Sequence, residues 1–172
     1  MSSFQYDYKN LIFRKVLWLV TLLGFVGVGS SLFAQYVLGM NPCVMCIQQR
    51  MALGGVAVLG LLALLLPRSF WGRTLAVLLV AAPAVFGLVI AVKQLYLQSL
   101  PLHLQPPCGA PWTFRWRNMP LFDYYEWFIR GSGACGEVYK VLGVSLPMWS
   151  MLFFSLVLLL LVWAYFKAWR VS

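Results

Sequence analysis

Four long stretches of this chain carry almost no charge, and they decide what it can fold into. They are residues 16–38, 47–66, 74–92 and 148–166, and the single charge among them is Arg50. A helix of about 20 apolar residues crosses the ~30 Å hydrocarbon core of a bilayer. Backbone groups in lipid must be satisfied within the span, so helices are the expected form. Only 10% of the residues are charged and 62% are hydrophobic, against about 25% charged in a soluble domain. The expected architecture is an all-α membrane protein, one membrane domain over residues 1–172, built as a four-transmembrane-helix bundle.

The net charge of +9 is distributed rather than gathered into a patch. Lys9, Arg14, Lys15, Arg68, Arg73, Lys167 and Arg170 all flank apolar runs, which is a topology signal and argues against nucleic-acid binding. The two tails and the turn at 67–73 are basic, whereas the turn at 39–46 has no Lys or Arg. The positive-inside rule therefore puts both termini in the cytoplasm and the loops 39–46 and 95–147 on the exported side. In a bacterium this is a multi-pass inner-membrane protein with its loops in the periplasm. Val28-Gly29-Ser30 offers a small-residue cleavage site, but the run continues apolar beyond it, so the first span is read as retained.

Within the spans, Gly24, Gly27, Gly29, Ser30 and Ser31 suggest a small-residue packing face. Pro83 predicts a kink in the third span, and Lys93 with Gln94 marks that span's polar end. In the long loop, Leu121, Tyr125, Phe128 and Ile129 recur at helical spacing opposite Asp123, Glu126 and Arg130. This predicts a short amphipathic helix of about ten residues lying in the membrane interface. Gly131-Ser132-Gly133 after it reads as a flexible hinge before Cys135.

The chemistry is concentrated at residues 41–50, where Asn41-Pro42-Cys43-Val44-Met45-Cys46 leads into the second span. Asn41 suits a helix cap and Pro42 its first turn. Cys43 and Cys46 then share one face of the opening turns, with Arg50 one turn deeper. A thiolate at a helix N-terminus beside a cation is a better nucleophile and leaving group. A C-x-x-C pair can be a structural disulfide, half a zinc site or a redox pair. Zinc would need Cys108 and Cys135 to close a tetrahedron without a second C-x-x-C knuckle. Ile47 after Cys46 disfavours haem attachment, and the lone His103 in a Pro-rich loop reads as solvated or structural. A C-x-x-C bridge closes a very small loop and stabilises little, which favours redox chemistry on the exported side. The four cysteines allow three pairings. Arg50 either snorkels to the headgroups or neutralises negative charge on something bound beside Cys46. A lipid-soluble quinone would need only an apolar slot and a polar group for its carbonyl oxygen.

Cys43-Val44-Met45-Cys46-Ile47-Gln48-Gln49-Arg50, Pro107-Cys108, Gly133-Ala134-Cys135 and the run from Leu142 to Trp149 together resemble the DsbB disulfide-bond formation proteins. The resemblance covers nearly the whole chain. It implies a thiol:quinone oxidoreductase that reoxidises a periplasmic DsbA-type oxidase and passes electrons to ubiquinone or menaquinone. Cys108–Cys135 would be the disulfide attacked by the oxidase, with Cys108 forming the mixed disulfide. Cys135 would exchange with the Cys43–Cys46 pair, and Cys46 would face the quinone with Arg50 steadying the charge. Gln49 stands where some relatives carry Glu and is a further candidate quinone contact. Lys93 and Gln94 stand where some carry His. These departures allow a paralogue serving a specialised oxidase. Vitamin K epoxide reductase relatives share the bundle logic but carry their C-x-x-C late in the chain. The reading from another class is a non-catalytic membrane protein with loop-stapling disulfides.

Overall fold

The computed structural model describes residues 3–67, 69–105 and 109–169. Arg68, Cys108 and Arg170 lie outside the described residues. Four long helices carry the fold: α1 (Ser3–Tyr36), α2 (Val44–Ala63), α3 (Phe70–Ser99) and, last in the chain, α6 (Leu146–Trp169). Between α3 and α6 come a 3-10 turn (Leu102–Leu104), α4 (Trp112–Arg115), α5 (Phe122–Ile129) and a two-stranded hairpin, β1 (Lys140–Val141) and β2 (Val144–Ser145). All four long helices are long and apolar enough to cross a membrane. They form a ring in which α2 packs against α1 and α3, and α6 closes against α3 and α1.

The bundle is a four-transmembrane-helix type, as expected, but the helices do not end where the apolar runs end. α1 begins at Ser3, well before its apolar run, and α3 continues to Ser99 through Lys93 and Gln94. Gln94 is 1% exposed, so it lies inside the helix packing rather than marking a polar end. Hydropathy senses the solvent a helix prefers, while helix ends follow backbone hydrogen bonding and caps. Ser69 caps α3 by accepting from the Gly72 N–H at 3.2 Å.

Close helix approach explains the small residues. A Cβ on Gly24 would stand 2.9 Å from the Ala57 backbone nitrogen, and one on Gly27 would stand 3.0 Å from Leu53. Ser31 continues that face, whereas a Cβ on Gly29 would meet nothing and exposed Ser30 donates to its own helix at Val26 O. The small-residue face is thus Gly24, Gly27 and Ser31, at i, i+3 and i+7. Pro83 of α3 is accommodated by Gly55 of α2, where a Cβ would come within 2.8 Å of the Pro83 ring. The core between the helices is Leu17 and Val20 of α1, Val56 of α2, Val80 of α3 and Phe154 and Val157 of α6. Large apolar residues such as Leu78, Val89 and Leu159 are exposed on the outside of the ring, where lipid is their solvent. At the end away from the cysteines, buried Arg73 donates to Asn10 Oδ1 and Ala168 O at 3.4 and 3.2 Å, tying α1, α3 and α6 together.

The amphipathic helix is shorter than the periodicity predicts. Leu121 precedes α5 at φ 61 and is 70% exposed, so it lies off the apolar face that Ile129 buries. The hairpin had no counterpart in the sequence reading. Its turn residues Leu142 and Gly143 have φ 54 and 80, the positive values that a two-residue type I′ hairpin needs.

Candidate functional site

The dithiol is built by the entry into α2. Cys43, not Asn41, is the cap: it is extended at φ −78, ψ 170, and its Sγ accepts from the Cys46 N–H at 3.2 Å. Asn41 cannot cap because its side chain is engaged elsewhere, accepting from Ser132 N at 3.2 Å and pairing with Ser132 Oγ at 3.3 Å. The two sulfurs lie 2.8 Å apart as free thiols, longer than the ~2.05 Å of a disulfide. The hydrogen bond with Cys46, and after it burial, hold the Cys43 thiol well above its ordinary pKa.

Gln94 is the residue that sequence reasoning did not assign to the dithiol. Its Nε2 donates to Cys43 Sγ at 3.3 Å and to Cys46 Sγ at 3.4 Å, and its Oε1 accepts from Gln49 Nε2 at 2.7 Å. Both amides are buried. The signal that could have found it is that Gln49 and Gln94 are amides near the same end of two adjacent spans, where each needs a partner.

Arg50 is 2% exposed, so it does not snorkel. Its guanidinium donates to Ser31 Oγ at 2.8 Å, Ser31 O at 3.3 Å and Phe128 O at 3.0 Å. All three acceptors are neutral, and among the described residues no carboxylate pairs with it. Its charge therefore remains available to a negative group nearby. Cys46, Gln49 and Arg50 border a cavity of about 810 Å³ walled by α1, α2, the hairpin and the start of α6. Leu23, Val26, Leu53, Leu146 and Phe153 make much of its lining apolar. A quinone, an apolar ring with two carbonyl oxygens and an isoprenoid tail, fits this chemistry and the size range of ligand cavities.

The opposite side of the dithiol belongs to Cys135. It is 2% exposed, disulfide-bonded, and packed in one cluster with Cys43, Met45 and Leu97. The segment before it is docked and is not a free hinge. Gly133 N donates to Pro42 O at 3.2 Å, and Gly133 forms a parallel bridge with Cys43. A Cβ at Gly131 would collide with Pro42 O, and one at Gly133 with Asn41 O. These glycines are needed for close approach of two backbones. The amphipathic helix is held by its C-terminal carbonyls, Trp127 O by Tyr36, Phe128 O by Arg50 and Arg130 O by Gln35.

Residues 13–164 match the family model described as "Disulfide bond formation protein DsbB". The disulfide bond formation protein B of Neisseria meningitidis serogroup A is 44% identical over 158 residues, covering 91% of this chain and 98% of that protein. The chain belongs to the DsbB family. The Neisseria gonorrhoeae protein of the same name is also 44% identical over 158 residues, with the same coverage. That of Marinobacter nauticus is 36% identical over 148 residues, covering 83% of this chain and 88% of its own. As a DsbB-family member with four apolar helices, the chain is a multi-pass membrane protein of disulfide bond formation, an oxidoreductase class that generates disulfides.

In this DsbB-family chain the fold brings Cys43, Cys46, Cys135, Gln49 and Arg50 to one end of the bundle. Cys108, the remaining candidate, lies outside the described residues.

Proposed function

We propose that this chain reoxidises a periplasmic, thioredoxin-like oxidase of the DsbA type and passes the electrons to ubiquinone or menaquinone. The observation that carries the reading is the two-sided dithiol: Cys43 packs with Cys135 while Cys46 borders the large cavity. In this reading the oxidase's thiolate attacks Cys108 of a Cys108–Cys135 disulfide, which releases Cys135. Cys135 attacks Cys43 of a Cys43–Cys46 disulfide and releases Cys46. Cys108, freed when the oxidase closes its own disulfide, then displaces Cys43 and restores the loop pair. Each exchange forms one S–S bond as it breaks another, by the ordinary thiolate mechanism. The net result is two electrons and two protons on Cys43 and Cys46.

Bound in the cavity, a quinone supplies an acceptor for two electrons and two protons. Gln94 holds both sulfurs, Arg50 places positive charge beside Cys46, and Gln49 anchors Gln94 from the cavity wall. The basic tails support a topology with both termini cytoplasmic and the cysteine end periplasmic.

The test is quinone absorbance over time, with purified protein in detergent and a reduced DsbA-type oxidase. Rapid reduction that disappears in both Cys46→Ser and Cys108→Ser is expected. Folded protein that reduces neither ubiquinone nor menaquinone would return the cysteines to a structural role.

A further inference from the structure

The helix α3 runs on to Ser99, beyond the apolar run that ends at Val92. Gln94 and Gln98 stand four residues apart on one face of that extension. Gln94 holds the sulfurs of Cys43 and Cys46. Leu97, between the two amides, packs in the cluster with Cys43 and Cys135. Gln98 is half-buried, and its Nε2 donates to Glu137 O at 3.3 Å. A single stretch of helix therefore touches both the dithiol and the segment that carries Cys135.

Cys135 sits in a tight turn, closed by the Glu137 N–H donating to Ala134 O at 3.3 Å. The chain enters the turn from Gly133, which is docked on Pro42 and Cys43. It leaves at Glu137, whose carbonyl Gln98 holds. Gln105, folded back to donate to Leu100 O at 2.9 Å, lies against Gly136 inside the turn, where a Cβ would collide with its amide. The turn is thus fixed at its entrance by the segment leading into α2 and at its exit by α3. A turn fixed at one end can pivot; fixed at both, it holds the residue in its middle in place.

We propose that Gln98 is a positioning residue for disulfide exchange, keeping Cys135 against Cys43 by holding Glu137 O. The inference rests on the relay reading of the cysteines. In that relay the Cys135 thiolate bonds to Cys43 Sγ as the Cys43–Cys46 bond breaks, and Cys46 leaves as a thiolate. An attacking sulfur that is already close to its target avoids much of the entropy cost of reaching it. Gln98 lies outside the lining of the cavity, so its effect belongs to exchange and not to the quinone.

The test follows one turnover. The fully oxidised chain, quinone-free in detergent, is mixed with a large excess of reduced DsbA-type oxidase, quenched with acid at intervals and alkylated. The covalent complex of oxidase and chain reads attack on Cys108. Alkylation of Cys46, located by peptide mass, reads its release by Cys135. Gln98→Met, similar in length but without an N–H donor, is expected to form the covalent complex at the parent rate. It should release Cys46 about threefold more slowly, the low end for a neutral hydrogen bond that water can reach. Its quinone KM in steady-state turnover should match the parent's. Gln98→Lys, which keeps a donor, should release Cys46 at the parent rate. Release at the parent rate in Gln98→Met overturns the proposal. So does a slowing of both steps with an earlier thermal transition, which would make the amide a general support of the loop. A parent chain that forms no covalent complex overturns the relay reading itself, a different and recognisable result.

Discussion

Gln94 touches both sulfurs with one amide nitrogen and accepts a hydrogen bond from Gln49 with its oxygen. Replacing it with Leu strands the Gln49 amide in a buried place and strips the sulfurs of their donor. Gln94→Leu should lower stability by about 1–3 kcal/mol, seen as an earlier thermal transition in detergent. The same change should slow alkylation of the dithiol about tenfold, because a thiolate loses a charge-assisted bond. Unchanged alkylation would mean that the amide serves packing alone. Arg50→Ala should raise the quinone KM severalfold and leave thiol exchange with the oxidase intact; steady-state kinetics with each substrate varied in turn separates the two. A quinone KM that stays put would reduce Arg50 to a clamp on Ser31 and Phe128. The cysteine pair and Arg50 were legible in the sequence because a C-x-x-C spacing and a lone charge in an apolar run stand out locally. Gln94 was not, since it lies 48 and 51 residues from its sulfurs and one amide at the end of a span has no local signature. The capping role given to Asn41 failed for a related reason: Ser132 competes for it, and nothing near Asn41 announces Ser132.

Among the elements, the four helices were legible because apolar runs of bilayer length have few alternatives, while their ends were not. A helix continues through Lys93 and Gln94 when buried partners satisfy the amide, and hydropathy does not register partners. The tight contact of α1 with α2 predicts that Gly24→Val lowers the thermal transition in detergent, by about 1–3 kcal/mol for overpacking. Gly29→Val, on the open side of α1, serves as the matched control and should leave it unchanged. The strap from Gly131 to Gly133 was misread as a hinge because glycine signals both freedom and close approach, and only the opposing backbone tells them apart. Gly133→Ala should push the strap off Asn41 and slow exchange between Cys135 and Cys43. Trapping of the Cys43–Cys135 bond in a Cys46→Ser background, followed over time, measures this. An undiminished rate would mean that Cys135 finds Cys43 without the docked strap.

For the molecule as a whole, the ring of α1, α2, α3 and α6 gathers the dithiol, the cavity and the docked strap at one end, and Arg73 fastens helices at the other. The positive flanks predict that an alkaline phosphatase reporter fused at either terminus is inactive, while one inserted near Leu121 is active; the reverse pattern would invert the protein in the membrane. The loop chemistry was the least legible part at this scale, since short turns take their shape from the helices they join. The pairing of Asn41 with Ser132 joins residues 91 apart in the chain. A ribosome adding about 5–20 residues per second makes the second partner roughly 5–20 s after the first. During that interval Cys43 and Cys46 have been synthesised and Cys135 has not. Until Cys108 is added, 62 residues after Cys46, the dithiol can close only on itself, so the order of synthesis gives the Cys43–Cys46 pairing a head start over any wrong one.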